Sequence, residues 1–160
     1  MSLSISHTAA FAVAVLGIGV AGLAEAEEPS DLPLQSLPPE WIRPLEAGGC
    51  SCSTFRTEKL LSIDRVLLSM GGFRDSARIR IDNKNIELTH SKFSQSKGTL
   101  IHRYSGESIA LLLQTKQVDY GQFCATYANP PSEGSCFSGR LLITYEGKKH
   151  TVPITQICGC

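Results

Sequence analysis

The stretch Ala77–Leu88 (ARIRIDNKNIEL) decides the fold class of this 160-residue chain. Apolar Ala77, Ile79 and Ile81 alternate with charged residues, which is the period of two that a half-buried strand requires. The polar residues 82–85 tolerate the positive φ of a tight turn, and the alternation then resumes. The stretch therefore predicts an antiparallel β-hairpin.

Two further hairpins are predicted on the carboxyl side of this one. Ser105-Gly106-Glu107 separates apolar runs at 100–101 and 109–113, and Glu146-Gly147-Lys148 separates runs at 141–145 and 152–157. Hairpins at this spacing are typical of a small antiparallel sandwich or barrel. Pro153 has no N–H to donate, so its strand is expected to lie at an edge or to carry a bulge.

Residues 57–70 fit two interpretations. Leu60, Ile63, Leu67 and Met70 have helical spacing, whereas the run 66–68 suits a buried strand equally well. The expected fold class is therefore all-β, stapled by disulfides, with one short helix near 57–70 as an open alternative.

The six cysteines predict the disulfide bonds. Cys124 and Cys136 bracket a short loop and fit a bridge across the neck of a hairpin, worth about 3 kcal/mol. The other four form two Cys-x-Cys pairs, in which both sulfurs point to one face of a strand. Two such strands side by side allow two parallel bridges that tie the first strand to the last; the cysteines of these pairs are Cys50, Cys52, Cys158 and Cys160.

Metal binding is the alternative for the same four cysteines. Four thiolates suit zinc or copper(I), with His90, His102 or His150 as extra ligands. Thiol-redox chemistry at Cys158-Gly159-Cys160 is a third interpretation. An oxidising compartment favours disulfides, so we expect no metal and no cofactor.

The amino-terminal segment predicts export. Residues 8–24 carry no charge and precede Ala24-Glu25-Ala26, a pattern typical of a signal peptide (residues 1–26) cleaved after Ala26. The expected location is periplasmic or secreted, where disulfides persist, with no stable membrane insertion after cleavage.

An acidic arm and a basic domain follow. Residues 27–49 contain five acidic residues, one Arg and five Pro, which predicts an extended arm, with Trp41 docking it on the domain. The predicted β domain, from Cys50 to Cys160, contains 14 Lys plus Arg and 9 Asp plus Glu.

The sequence favours a non-catalytic protein. It contains no G-x-S-x-G, H-E-x-x-H, P-loop or Rossmann glycine pattern, so no catalytic residue is predicted. Arg78, Arg80, Arg103 and Lys148-Lys149 either gather into a basic patch for an acidic partner or remain scattered. Modest net charge without interleaved aromatic residues argues against nucleic acid.

One loop is a candidate binding element. Its residues lie between Cys124 and Cys136, and two adjacent prolines stiffen it, so it would insert into a partner at little ordering cost. The predicted binding residues are Asn129, Pro130, Pro131, Ser132 and Glu133.

The chain resembles a group of uncharacterised bacterial exported small β proteins. The resemblance lies in the cysteine pattern, the Ile81-Asp82-Asn83-Lys84 hairpin and the run from Val152 to Cys160. In size and compartment the chain is also similar to periplasmic lysozyme inhibitors, small β-barrels that block an enzyme cleft with a loop. Their Ser-Gly-x-x-Tyr marker is matched at Ser105-Gly106, but Ile109 replaces the tyrosine.

These observations predict a non-catalytic binding protein that acts on another envelope or secreted protein, with an inhibitor or immunity-type role as the most concrete form. A metal-binding or thiol-redox protein and a structural envelope component are the alternatives.

Overall fold

The structure is a computed structural model that describes residues 32–43, 49–57, 62–72, 75–127 and 133–159. These residues form nine strands, one α-helical turn and two 3-10 turns. The strands are β1 (Leu34–Gln35), β2 (Ser51–Arg56), β3 (Leu68–Gly71), β4 (Ala77–Ile81), β5 (Lys84–Ser96), β6 (Thr99–Ser105), β7 (Ile109–Val118), β8 (Gly134–Tyr145) and β9 (Lys148–Gly159). The helical turn α1 covers Tyr120–Phe123, and the 3-10 turns cover Pro39–Trp41 and Ile63–Arg65.

Strands β2 to β9 form a closed antiparallel barrel. Each strand pairs with the next one along the chain, and β9 pairs back with β2 to complete the circle. The all-β, disulfide-stapled fold class is confirmed, and of the two predicted architectures the barrel is the one observed. Closure removes the free sheet edges that an open sheet of eight strands would leave.

The predicted hairpin turns are present. Asp82 and Asn83 have φ values of 55° and 62°, and Glu146 and Gly147 have 50° and 77°. Positive φ at both central residues gives the turn a twist that matches the flanking strands. A further turn of the same kind, at Lys97 (φ 50°) and Gly98 (φ 78°), joins β5 to β6 and was not predicted.

The barrel interior is built from the residues that alternate inward. Strand β4 buries Ala77, Ile79 and Ile81, and β7 buries Leu111 and Leu113 on the same core. This is the half-buried pattern from which the sequence predicted strands.

A second apolar cluster lies outside the barrel wall. The chain segment 32–43 pairs with β4 through β1 and crosses the barrel, where the Leu37 N–H donates to the Val66 carbonyl (2.8 Å). Leu37 and Ile42 are buried in this cluster, and Trp41 is half-buried against it. We call residues 32–43 together with residues 119–127 the outer layer.

The structure resolves the alternative left open at 57–70 and corrects the expectation for Pro153. Within 57–70, the described residues form a 3-10 turn at Ile63–Arg65 and the start of β3, while residues 58–61 lie outside the described chain; the α-helical turn is α1 instead. Strand β9 lies between β2 and β8 and is not at an edge. Pro153 is tolerated there because the β2 ladder ends at Ile154 and only the Pro153 carbonyl is used, accepting from the Thr57 N–H (3.3 Å).

Candidate functional site

Side chains fill the barrel interior. Two of its polar side chains make hydrogen bonds there: the Tyr104 hydroxyl donates to Met70 Sδ (3.3 Å), and Gln156 Nε2 donates to Thr54 Oγ1 (3.2 Å). Burial raises the pKa of Tyr104 far above its usual value, and the Asp75 carboxylate adds to the effect. The interior therefore serves as the core, and binding chemistry has to be found on the outside.

The outer layer covers one side of the barrel. Phe55 and Ile157 point outward from β2 and β9 into this layer, and the rings of Phe55 and Tyr127 lie 5.7 Å apart. The disulfide Cys124–Cys136 fastens the 119–127 segment to β8. These apolar outward residues are thus already buried.

The other side of the barrel, formed by β5 to β8, presents exposed cations. Lys92, Arg103, Lys116 and Arg140 are exposed, and the last three each adjoin a buried residue of the same strand. Half-buried apolar side chains lie among these cations on the same surface. We call this set the cationic face; its apolar members are Ile101, Leu112 and Leu142.

The ladder register makes these residues neighbours. Lys92 pairs with Arg103, Arg103 with Leu112, and Leu112 with Leu142, so four strands contribute to one row. In the next row Ile101 pairs with Gln114 and Gln114 with Arg140. Because adjacent strands are about 4.8 Å apart, the two rows form a continuous patch with an apolar centre and a basic rim.

The face lacks carboxylates. Strands β6 to β9 contain no Asp or Glu, and β5 contains only Glu87, in the part paired with β4. The two ion pairs within the described ranges both use Glu87, with Arg43 (3.6 Å) and Arg78 (3.8 Å). The cations of the face therefore have no partner carboxylate among the described residues.

A shallow groove of about 280 Å³ crosses the face between β7 and β8. Gly139 is one of its lining residues, and a Cβ at this position would lie 1.9 Å from the Gln114 carbonyl oxygen, so no side chain fits there. Arg140 Nε donates to Gln114 Oε1 (2.7 Å), which fixes its guanidinium at the rim. The groove is lined by Thr99, Gln114, Thr115, Lys116, Ser138, Gly139 and Arg140.

The basic patch predicted from the sequence has a different membership. Arg78 lies on β4, where it contacts Glu87 and its guanidinium carbon is 5.7 Å from the Trp41 ring centroid. Strand β5 separates Arg78 and Arg80 from Arg103. A hydrogen bond from Ser76 lowers the pKa of Glu87, and Arg78 and Arg43 lower it further. Since Arg43 belongs to the outer layer, Glu87 joins that layer to the barrel through a partly exposed ion pair.

The cysteines within the described residues form disulfide bonds. Cys52 pairs with Cys158 across β2 and β9, and Cys124 pairs with Cys136, as the spacing suggested. Cys50 is disulfide-bonded as well, and Cys160 lies outside the described residues. The sulfurs of Cys52 and Cys158, two of the four alternative metal ligands, are bonded to each other.

Two of the three histidines suggested as extra ligands lie together. The rings of His90 and His102 are 5.7 Å apart inside the β5–β6 hairpin, next to Tyr104 and Phe93, while His150 lies at the start of β9. In the described part of the chain, no group of three or more His, Cys, Asp or Glu residues is arranged to hold a metal ion.

The predicted binding loop is largely beyond the described chain. Asn129, Pro130, Pro131 and Ser132 lie outside it, and Glu133 is exposed directly before β8. The Ser105-Gly106 turn, matched to the lysozyme-inhibitor marker, joins β6 to β7 at the opposite end of the barrel.

Sequence reasoning missed the cationic face because its residues are far apart along the chain. The usable signal was the absence of acidic residues from Leu88 to Val118 except at Glu107, and again from Gly134 to Tyr145. Only the strand register shows that these segments without acidic residues lie side by side and form one surface.

Comparison with known proteins gave no match: no protein family, no curated protein and no solved structure is similar to the chain. Among the described residues, no helix has the length and apolar character needed to cross a membrane.

Proposed function

We propose that this chain is a non-catalytic binding protein that docks an acidic surface of another protein on its cationic face. The observation that carries the proposal is the presence of four exposed cations from four strands with no described carboxylate beside them. A surface of one sign attracts a partner of the opposite sign and raises the rate of encounter.

The apolar centre supports a protein partner. Ile101, Leu112 and Leu142 are half-buried and lie between the cations, which resembles the apolar core and charged rim of protein interfaces. Arg103 and Arg140 suit this use because a guanidinium binds a carboxylate through two parallel hydrogen bonds.

The scaffold supports binding without rearrangement. The face lies on paired strands of a closed barrel and not on loops, so its side chains are held before a partner arrives. Preorganisation of this kind lowers the entropic cost of association. An inhibitor or immunity-type role is the most concrete form of the proposal.

We also propose that the protein acts in a periplasm or outside the cell, after cleavage of residues 1–26 as a signal peptide. The disulfides are compatible with such an oxidising compartment. The expected partner is accordingly an envelope or secreted protein.

The test is site-specific crosslinking followed by reconstitution. A photoreactive amino acid at Leu112 in the producing cell captures whatever covers the face, and the adduct is identified by mass spectrometry. The captured protein is then purified, and its affinity is measured for the wild type and for Arg103→Glu/Arg140→Glu. The matched control, Lys84→Glu/Lys148→Glu, changes the net charge equally at exposed positions near the turns.

We expect Arg103→Glu/Arg140→Glu to bind the captured protein at least about tenfold more weakly than the wild type does. The control variant should bind within about twofold of the wild type. The wild-type affinity should fall with added salt, because salt screens the charges of the face. Equal affinity of both variants overturns the proposed function. Heparin, single-stranded DNA and anionic vesicles are tested in parallel; tight binding to one of these without a protein adduct at Leu112 also overturns it.

A further inference from the structure

The groove between β7 and β8 brings two cations of the cationic face together. Lys116 pairs with Thr99 on one side and with Ser138 on the other. Gln114, two residues earlier on β7, pairs with Arg140. Lys116 and Arg140 are therefore diagonal neighbours, and such neighbours lie roughly 7–8 Å apart, within reach of long side chains. One ligand group in the groove can contact both cations.

Gln114 holds the guanidinium of Arg140 in a defined orientation. Arg140 Nε donates to Gln114 Oε1 at 2.7 Å, and this bond leaves the two Nη groups to face a ligand. A guanidinium pairs with a carboxylate through two parallel hydrogen bonds. Because the side chain is already held, binding costs less conformational entropy.

The charges in the groove favour an anion. Neither Lys116 nor Arg140 takes part in the ion pairs found among the described residues. Two cations this close repel each other, and an anion between them replaces the repulsion by two attractions. The hydroxyl groups of Thr99 and Ser138 also line the groove and can donate to the same anion.

The size and surroundings of the groove indicate what carries the anion. Its volume of about 280 Å³ lies at the lower limit for sites that enclose a small-molecule ligand. Half-buried Ile101 pairs with Gln114, and half-buried Leu142 follows Arg140 by two residues on the same surface. A single acidic side chain therefore fits the groove when the rest of its protein covers the apolar centre.

We propose that the groove binds one carboxylate side chain, from Asp or Glu, of the partner protein. Arg140 donates two hydrogen bonds to this carboxylate, and Lys116 approaches it from the neighbouring strand. The inference rests on the proposed function and names the cations that determine specificity. The pair in the groove supplies the localised contact, whereas Arg103, outside the groove, adds long-range attraction.

The test uses the peptide N-acetyl-Ala-Leu-Glu-Leu-Ala-amide as the probe. The control peptide carries Gln in place of Glu, and inorganic phosphate is titrated separately. NMR follows the side-chain Nε–H signals of Arg140 and Arg103 in the folded protein. The variants are Arg140→Gln and Lys116→Gln. Arg103→Gln is the matched control, because it removes an equal charge from the same face outside the groove.

We expect the Glu peptide to shift the Arg140 signal until saturation, with a Kd in the millimolar range, and the Gln peptide to bind at least about tenfold more weakly. Arg140→Gln and Lys116→Gln should each weaken binding of the Glu peptide by about fivefold or more, and Arg103→Gln by less than about twofold.

Three results would contradict the expectation. Equal losses in all three variants would show that the whole face attracts acidic groups, so the groove inference fails and the proposed function stands. Saturation of the Arg140 signal by phosphate at a concentration about tenfold lower than by the Glu peptide overturns a carboxylate as the occupant. No shift of the Arg140 signal with the Glu peptide overturns the groove inference.

The protein captured at Leu112 separates the two proposals from the other side. If the Glu peptide binds the groove as expected but this protein binds Arg103→Glu/Arg140→Glu as tightly as the wild type, the proposed function fails. The groove then remains a site for a carboxylate that this partner does not supply.

Discussion

Tyr104 shows how one residue links burial to alkaline stability. Its hydroxyl is enclosed in the core, donates to Met70 Sδ, and has a pKa raised by burial. A phenol with a folded-state pKa above its unfolded value of 10.0 binds its proton more tightly in the folded state. The contribution of this group to the free energy of unfolding is therefore complete below about pH 10. It is lost as the pH rises through the folded-state pKa.

Tyr104→Phe is expected to cost about 1 kcal/mol or less near pH 7, because one weak hydrogen bond is lost and the ring remains. Between about pH 10 and pH 12 its unfolding free energy should fall less steeply than that of the wild type. Urea unfolding across this range measures both effects. Parallel curves would show that Tyr104 is not the group that titrates on unfolding.

At the level of single residues, the sequence predicts positions that local chemistry determines. Asp82 and Asn83 were placed in a turn because short polar side chains tolerate positive φ, and both have it. Cys124 and Cys136 were paired because their separation suits a hairpin neck. Arg103 and Arg140 could not be assigned to one surface, since their proximity depends on β7 lying between β6 and β8.

At the level of elements, β7 and β8 approach closely where Gly139 pairs with Thr115 and lies beside the Gln114 carbonyl. A Cβ at position 139 would also lie 2.9 Å from the backbone carbon of Gln114 and from Thr115 Cα, so main chain would have to move. We expect Gly139→Ala to destabilise the barrel by about 2–3 kcal/mol.

Gly49→Ala is the matched control for this change, because a Cβ there meets no atom within 4 Å. Guanidinium unfolding of both variants measures the difference. A Gly139→Ala protein as stable as Gly49→Ala would mean that the two strands separate freely at this point, and the groove would then not be a fixed feature.

Strands with clear alternation were predicted well, and polar strands were not. Residues 89–96 are mostly Ser, Thr, Gln and Lys, so nothing in their sequence marked half of the longest strand. They form a strand because they pair with β6, whose position in the barrel is fixed by its pairing with β7. The helical turn α1 was missed for a related reason: four residues capped by Asp119 carry too little periodicity to detect.

For the whole molecule, the outer layer belongs to the fold and is not an appendage. Leu37 is 2% exposed and packs with Phe55 and Val66 against the barrel wall. Leu37→Ala is expected to lower the unfolding free energy by about 2–4 kcal/mol in one cooperative transition. Glu40→Ala, an exposed position in the same segment, should change it by less than about 0.5 kcal/mol.

Trp41, the only tryptophan of the chain, reports this transition directly. If the segment and the barrel unfold together, its fluorescence and the far-ultraviolet circular dichroism follow the same denaturant curve. Two separate curves in the wild type would contradict the cooperative view and make the segment an independent unit.

The closure of β9 onto β2 has a consequence for the order of events during synthesis. Strands β2 to β8 leave the ribosome first, yet β2 has no partner on its outer side until β9 follows, and the Cys52–Cys158 bridge spans 106 residues. Contacts of such long range form slowly, and the incomplete barrel exposes unpaired edges meanwhile. The barrel therefore closes only after β9 has been synthesised, and until then every shorter length of the chain leaves β2 with one neighbour missing.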